Sequence, residues 1–103
     1  MKVSARLIAK VRKIDEELGS RLRRAVEEDN VVLAESVAEK LAARMLAKPR
    51  CIEVAPGWRL HYWLEPTELA LKQGDVVVAR LGECRRLYEA LRIIWAIVNA
   101  GCR

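Results

Sequence analysis

The chain has 103 residues and a mass of 11.7 kDa, which is enough for one small domain and excludes two independently folded units. Hydrophobic residues make up 52% of the sequence and charged residues 32%, so a disordered chain and a membrane-embedded one are both excluded. The net charge of +5 favours polyanionic partners such as RNA or DNA. Abundant Arg and Glu, with few uncharged polar side chains, indicate a thermophile.

The cysteines do not have the spacing of a metal site. Cys51, Cys84 and Cys102 form no C-x-x-C pair, and His61 is the single histidine. We therefore predict small buried thiols and no metal or other cofactor; a zinc site built from these four residues and an intracellular disulfide are the alternatives. No signal peptide is recognised, and the apolar stretch of residues 93–98 is too short to cross a bilayer. These features predict a cytoplasmic protein with no membrane partner.

The first half of the chain has the apolar spacing of helices. A stripe along residues 7–22 predicts one helix, and the Gly19-Ser20 pair predicts its interruption. A second helix follows and ends at Lys48-Pro49, because the residue before proline avoids the α region. Asp29-Asn30 offers a further division of this helix, and residues 2–4 offer a short strand before the first one.

The second half begins with strand patterns. Residues 51–64 predict two short strands around the turn at Pro56-Gly57. Residues 67–74 are predicted as a connection, and the β-branched run of residues 75–81 predicts a central, buried strand. Helical spacing returns from Glu83 onward. The prediction is an α+β domain with two N-terminal helices, a small antiparallel sheet of three to four strands and a C-terminal helix.

Four strings that together cover nearly the whole chain resemble one protein family. They are the helical pair of residues 11–25, Gly57-Trp58-Arg59-Leu60-His61-Tyr62, Val76-Val77-Val78 and Gly82-Glu83-Cys84-Arg85-Arg86-Leu87-Tyr88. With the order of the elements, they resemble the RelE/ParE superfamily of small toxins from toxin–antitoxin pairs. The resemblance implies a single RelE-like domain over residues 1–103.

The resemblance also implies a function. The chain would be the toxin of a type II toxin–antitoxin system, a metal-independent mRNA endoribonuclease or translation inhibitor that acts on RNA or the ribosome and is silenced by an antitoxin protein. By position, Arg59 matches the family's strand arginine, Arg85 or Arg86 the basic residue after the closing glycine, and Tyr88 the closing tyrosine. A guanidinium at position 59 would hold a phosphate bidentately.

His61 joins these catalytic candidates from the residues themselves. It shares a strand face with Arg59 by the period of two, and its charge changes near neutral pH. Two departures from the family count against catalysis: Glu53 and Cys84 stand where relatives often have basic residues. A catalytically degenerate relative that acts by binding therefore stays open.

Further basic residues mark two candidate nucleic-acid-binding surfaces. Arg80 and Arg86 lie on the last strand and the turn after it. Arg6, Lys10 and Lys13 follow Lys2 at gaps of four, four and three, which forms a basic stripe on the first helix. A solvated helix face explains the same stripe, because acidic residues follow one turn later.

The C-terminal helix is apolar nearly all round, so something is expected to cover it. The candidates are a second copy in a homodimer, an antitoxin segment and the chain's own helices. A winged-helix-like nucleic-acid-binding regulator is the functional alternative, with residues 31–47 as recognition helix and residues 51–64 as wing. Against it, residues 31–47 contain just Lys40 and Arg44 as basic side chains.

Overall fold

Within residues 2–46 and 51–101, which the computed structural model describes, the chain forms four helices and one antiparallel sheet of four strands. The strands are hydrogen-bonded in chain order as a meander, β1-β2-β3-β4. The α+β class is therefore as predicted. The elements are α1 (Lys2–Ile14), α2 (Glu16–Glu28), α3 (Val31–Met45), β1 (Cys51–Ala55), β2 (Trp58–Leu64), β3 (Thr67–Gln73), β4 (Val76–Arg80) and α4 (Leu87–Gly101).

The N-terminal helices differ from the prediction at their boundaries. Residues 2–4 belong to α1 and not to a strand, and the buried side of this helix extends back from Leu7 to Ser4, one turn earlier. The break after α1 falls at Asp15, whose Oδ1 accepts a hydrogen bond of 3.1 Å from the Leu18 backbone N–H. With this side-chain cap, α2 starts at Glu16, three residues before the predicted interruption at Gly19.

Gly19 lies inside α2, where it allows α1 and α2 to cross closely. A Cβ atom at this position would lie 2.8 Å from the Cα atom of Arg12, which is too short for any side chain. The predicted break at Gly19-Ser20 was wrong, because the glycine serves the packing of the two helices and not the end of one. The predicted second helix ends at Lys48-Pro49, which lies outside the described residues.

The division at Asp29-Asn30 is confirmed. Asp29 has a φ of 52° in the left-handed region, and Asn30 Oδ1 accepts a hydrogen bond of 3.0 Å from the Leu33 backbone N–H. These two residues end α2 and begin α3. Residues 2–46 therefore form three helices before the sheet, where two were predicted.

The sheet contains the predicted hairpin and one strand that was missed. β1 and β2 pair around Pro56-Gly57, with Gly57 at a φ of 79°. The predicted connection of residues 67–74 is mostly β3, which separates the hairpin from β4. β4 is consequently an edge strand and not a central one, and Val76 and Val77 are 66% and 42% exposed.

The loop between β4 and α4 is held by α3. The backbone N–H groups of Gly82 and Cys84 both donate to the Glu35 carboxylate. These bonds keep residues 82–84 out of the helix, so α4 begins at Leu87 and not at Glu83. Arg85 and Arg86 lie in the exposed segment that follows the held turn.

One face of the sheet and the apolar side of α4 form the core. Leu60, Leu71, Ile93 and Ile97 are fully buried in a single cluster, and α4 packs on α3 and on all four strands. The chain's own elements thus cover the apolar run of α4, which is the third of the predicted alternatives. No helix in the described part of the chain is long and apolar enough to cross a membrane.

Candidate nucleic-acid interface

The face of the sheet that points away from the helices is open to solvent. Along β2, Leu60 and Tyr62 point into the core, whereas Arg59, His61 and Trp63 alternate with them and point outward. Trp63 is 44% exposed, while Trp58 lies half-buried on the helix-facing side. The prediction that Arg59 and His61 share a face is confirmed.

The neighbouring strands place further cations beside Arg59 and His61. Lys72 of β3 is the cross-strand partner of Arg59. His61 is opposite Ala70, and Ala70 is in turn opposite Arg80 of β4. Strand pairing therefore brings four basic side chains from three strands onto one surface, which we call the open face: Arg59, His61, Lys72 and Arg80.

Acidic residues lie on the open face as well. Glu53 of β1 is the cross-strand partner of Arg59, and Glu68 of β3 is that of Trp63. Arg80 Nε lies 3.3 Å from Glu83 Oε2. These carboxylates reduce the positive potential of the open face. The face also carries a wide, shallow depression of about 570 Å³, which is lined in part by His61, Trp63 and Arg80. Such a surface suits an extended ligand better than a compact one.

The surroundings of His61 favour the neutral form of its imidazole. Partial burial lowers the pKa of the imidazole below its ordinary value of 6.5, and the charges of Lys72 and Arg59 lower that pKa further. A neutral imidazole can accept a proton, and its cationic neighbours are placed to hold a phosphate. The open face thus combines a proton acceptor with anion-binding groups.

Cys51 lies next to His61, with 3.5 Å between Sγ and Nε2. Cys51 is exposed, so the expectation of a buried thiol was wrong for it: as the first residue of β1, it points to the open face. Two members of the alternative zinc set therefore meet. Cys84 is apart from them beside Glu35, Cys102 lies outside the described residues, and the described residues contain no group of three metal-binding side chains.

Arg85 and Arg86 are exposed in the loop after β4 and do not line the depression of the open face. Cys84 precedes them, and burial together with the Glu35 carboxylate raises the pKa of its thiol to about 12. This thiol stays neutral and takes no part in acid–base chemistry near pH 7. Glu35 instead fixes the backbone from which the two arginines project.

Tyr88, Arg6 and Lys10 lie on the opposite side of the sheet. All three line a groove between α1 and α4, together with Trp58, which faces the helices. Lys13 is exposed in the last turn of α1. The basic stripe of α1 was predicted as a surface separate from the catalytic candidates. The catalytic candidates themselves are divided, because Arg59 points to the open face whereas Tyr88 lines the groove on the helix-facing side of the sheet.

Sequence reasoning missed Lys72 and Arg92. The alternation of Glu68, Leu69, Ala70, Leu71 and Lys72 was the available signal for Lys72, since it has the period of a half-buried strand. Arg92 joins the groove through its contact with Trp58, 34 positions earlier in the chain. Nothing in the local pattern of α4 indicates that contact.

Comparison with protein-family models, with curated proteins and with solved structures gave no match for this chain.

Proposed function

We propose that this protein binds single-stranded RNA on the open face of its sheet and acts as a RelE/ParE-type toxin of a type II toxin–antitoxin system. The observation that carries the RNA-binding proposal is the placement of Arg59, His61 and Lys72 on one face, with the exposed indole of Trp63 beside His61. The toxin role is supported by the resemblance of the four strings. Translation is blocked by occupation of messenger RNA or of the ribosome.

The chemistry of the open face fits an unpaired strand. Guanidinium and ammonium groups spaced along adjacent strands neutralise successive phosphates, and an exposed indole provides a stacking surface for a base. A flat sheet face reaches the splayed bases of a single strand. It does not enter the major groove of a duplex, which takes a helix or a two-stranded ribbon.

Binding is better supported than cleavage. Attack by a 2′-hydroxyl needs a proton acceptor, a proton donor and neutralisation of the scissile phosphate. His61 provides the acceptor and Arg59 with Lys72 the neutralisation. Tyr88, the donor that the resemblance implies, lies beyond the sheet in the groove. An antitoxin with an acidic segment would silence the protein by covering the same cations.

The winged-helix alternative has less support from α3. Arg44, one of its two basic residues, has its Nη1 atom 2.6 Å from Asp15 Oδ2 and is engaged in joining α3 to the start of α2. Lys40 is the remaining basic residue of α3, and Val32 is the most exposed large apolar one. A recognition helix needs more donors to base edges than these provide.

The test is the affinity for a labelled single-stranded RNA of about 12 nucleotides, measured by fluorescence anisotropy over a range of salt concentrations. The double variant Arg59→Gln/Lys72→Gln should raise Kd about tenfold or more and reduce the salt slope by about 1.4, since two phosphate contacts are lost. Arg23→Gln/Arg24→Gln is the matched control: it removes the same charge from α2, where the arginines pair with Glu27 and Glu28.

Equal losses in the two double variants would show that only net charge matters and would refute the open-face site. Expression in cells tests the toxin role separately. Growth should stop, and Arg59→Ala should relieve the arrest, while full-length messages would indicate blocking and truncated ones cleavage. Growth that continues on expression of the wild-type chain would contradict the toxin role.

A further inference from the structure

The groove between α1 and α4 forms a cavity that is separate from the open face. It measures about 640 Å³, and its walls are the two helices and the helix-facing side of β2 and β3. Its apolar lining consists of Leu7, Trp58, Leu71, Leu91 and Trp95. This volume is that of a pocket for one small molecule.

The charged side chains of the groove all have the same sign. Arg6 and Lys10 project from successive turns of α1, and Arg92 projects from α4 on the other wall. None of the residues that line the groove in the described part of the chain is acidic. An anion would therefore find three cations above an apolar floor and no opposing carboxylate.

The aromatic residues of the groove are fixed against each other. Trp58 and Trp95 meet edge to face, with ring centroids 6.1 Å apart, and the Arg92 guanidinium carbon lies 5.2 Å from the centroid of Trp58. The indole rings of Trp58 and Trp95 thus form a corner, and the Arg92 guanidinium lies over the Trp58 ring. A flat apolar body fits this corner with its charged end toward Arg92.

A buried hydroxyl at the groove lacks a partner. Ser4 is 3% exposed, lines the groove, and its Oγ has no hydrogen-bond partner. Buried hydroxyls are normally paired, and the oxygen of a bound anion would accept a bond from this one. The orphaned hydroxyl and the three cations are independent observations that indicate the same kind of ligand.

We propose that the groove binds a small organic anion, with a flat apolar body against Trp58 and Trp95 and a carboxylate, sulfonate or phosphate near Arg6, Lys10 and Arg92. A second copy of the chain is a poorer occupant, because a two-fold contact would place this cationic rim against itself. The assignment is independent of the RNA proposal, since the sheet lies between the two surfaces.

The experiment uses 1-anilinonaphthalene-8-sulfonate as the anionic probe and N-phenyl-1-naphthylamine, which lacks the sulfonate, as its neutral counterpart. Both are titrated into the full chain carrying Trp63→Phe, so that energy transfer reports on Trp58 and Trp95 alone. The anionic probe should saturate one site, bind at least about tenfold more tightly than the neutral one, and lose about tenfold in affinity in Arg6→Gln/Lys10→Gln. Arg23→Gln/Arg24→Gln, the same charge change on α2, should bind like the parent.

Ser4→Ala provides a second measurement that does not depend on net charge. It should weaken binding of the anionic probe several-fold with an unchanged circular dichroism spectrum. Equal affinity for the two probes, equal losses in the two double variants, or a probe affinity that falls as the protein self-associates would each overturn the proposal.

Discussion

The two sides of the sheet carry similar cations in different surroundings. On the open face, Arg59 lies opposite Glu53 on one side and Lys72 on the other, and Glu68 is on the same shallow surface, opposite Trp63. In the groove, the cationic rim has no acidic neighbour among the lining residues and surrounds two tryptophans. The open face therefore suits a long ligand that makes many weak contacts, whereas the groove suits a compact ligand that becomes enclosed. Net charge alone does not distinguish these two cases.

The largest effect is expected on the free energy of unfolding, when residues on the two faces of β2 are compared. Leu60 is fully buried and Arg59, its neighbour, is exposed. Leu60→Ala should lower the free energy of unfolding by about 3 kcal/mol, because it leaves a cavity between β2 and α4. Arg59→Ala should change it by less than about 0.5 kcal/mol. Urea denaturation measures both, and similar losses would contradict the division of β2 into a core side and a solvent side.

A smaller effect is expected from pH, and only on the open face. The pKa of His61 lies below 6.5 because of its partial burial and of Lys72 and Arg59, so its positive charge is gained only in more acidic solution. RNA affinity at low salt should rise as the pH is lowered below 6.5, by about three- to fivefold once His61 is charged, and this rise should be absent in His61→Gln.

The same titration has the opposite sign for stability. The pKa of His61 is lower in the folded state than in the unfolded one. The contribution of His61 to the free energy of unfolding is therefore fully present above pH 6.5, and it is lost as the pH falls through the pKa of the folded state. Anion binding in the groove should not follow this titration. A pH dependence of RNA binding that survives in His61→Gln would remove His61 from the site.

The smallest effect concerns the helix-facing side. Tyr62 and Ser4 both have a buried hydroxyl without a hydrogen-bond partner, but only Ser4 lines the groove. Tyr62→Phe should not lower the free energy of unfolding by more than about 0.5 kcal/mol and should raise it slightly if anything, because no hydrogen bond is lost. It should also leave probe binding unchanged. A clear loss of stability would show that the Tyr62 hydroxyl has a partner after all.

The sequence correctly predicted those helices and turns whose signal lies within a short stretch of neighbouring residues. The apolar spacing through Leu7, Val11 and Leu22 gave the helices their inward faces, and Pro56-Gly57 gave the hairpin its turn. β3 was missed because the polar and charged residues at its two ends, among them Glu68 and Lys72, resemble a polar connection. β4 was placed at the centre of the sheet because its valines are apolar, although an edge strand also leaves valines exposed.

The candidate sites were predictable only where one strand contains them. The period of two places Arg59 and His61 together, since both belong to β2. The position of Lys72 opposite Arg59 depends on the register between β2 and β3, which no single residue of either strand specifies. The groove depends on how α1 packs beside α4, and Ser4 and Arg92 are far apart in the chain. Tertiary packing therefore decided which cations meet.

The most direct test of this account measures both ligands with the same two double variants. Arg59→Gln/Lys72→Gln should weaken binding of the single-stranded RNA about tenfold and leave binding of 1-anilinonaphthalene-8-sulfonate unchanged, whereas Arg6→Gln/Lys10→Gln should do the reverse. Each variant removes two positive charges, so net charge is matched. Parallel losses of both ligands in both variants would contradict the assignment of separate sites to the two sides of the sheet.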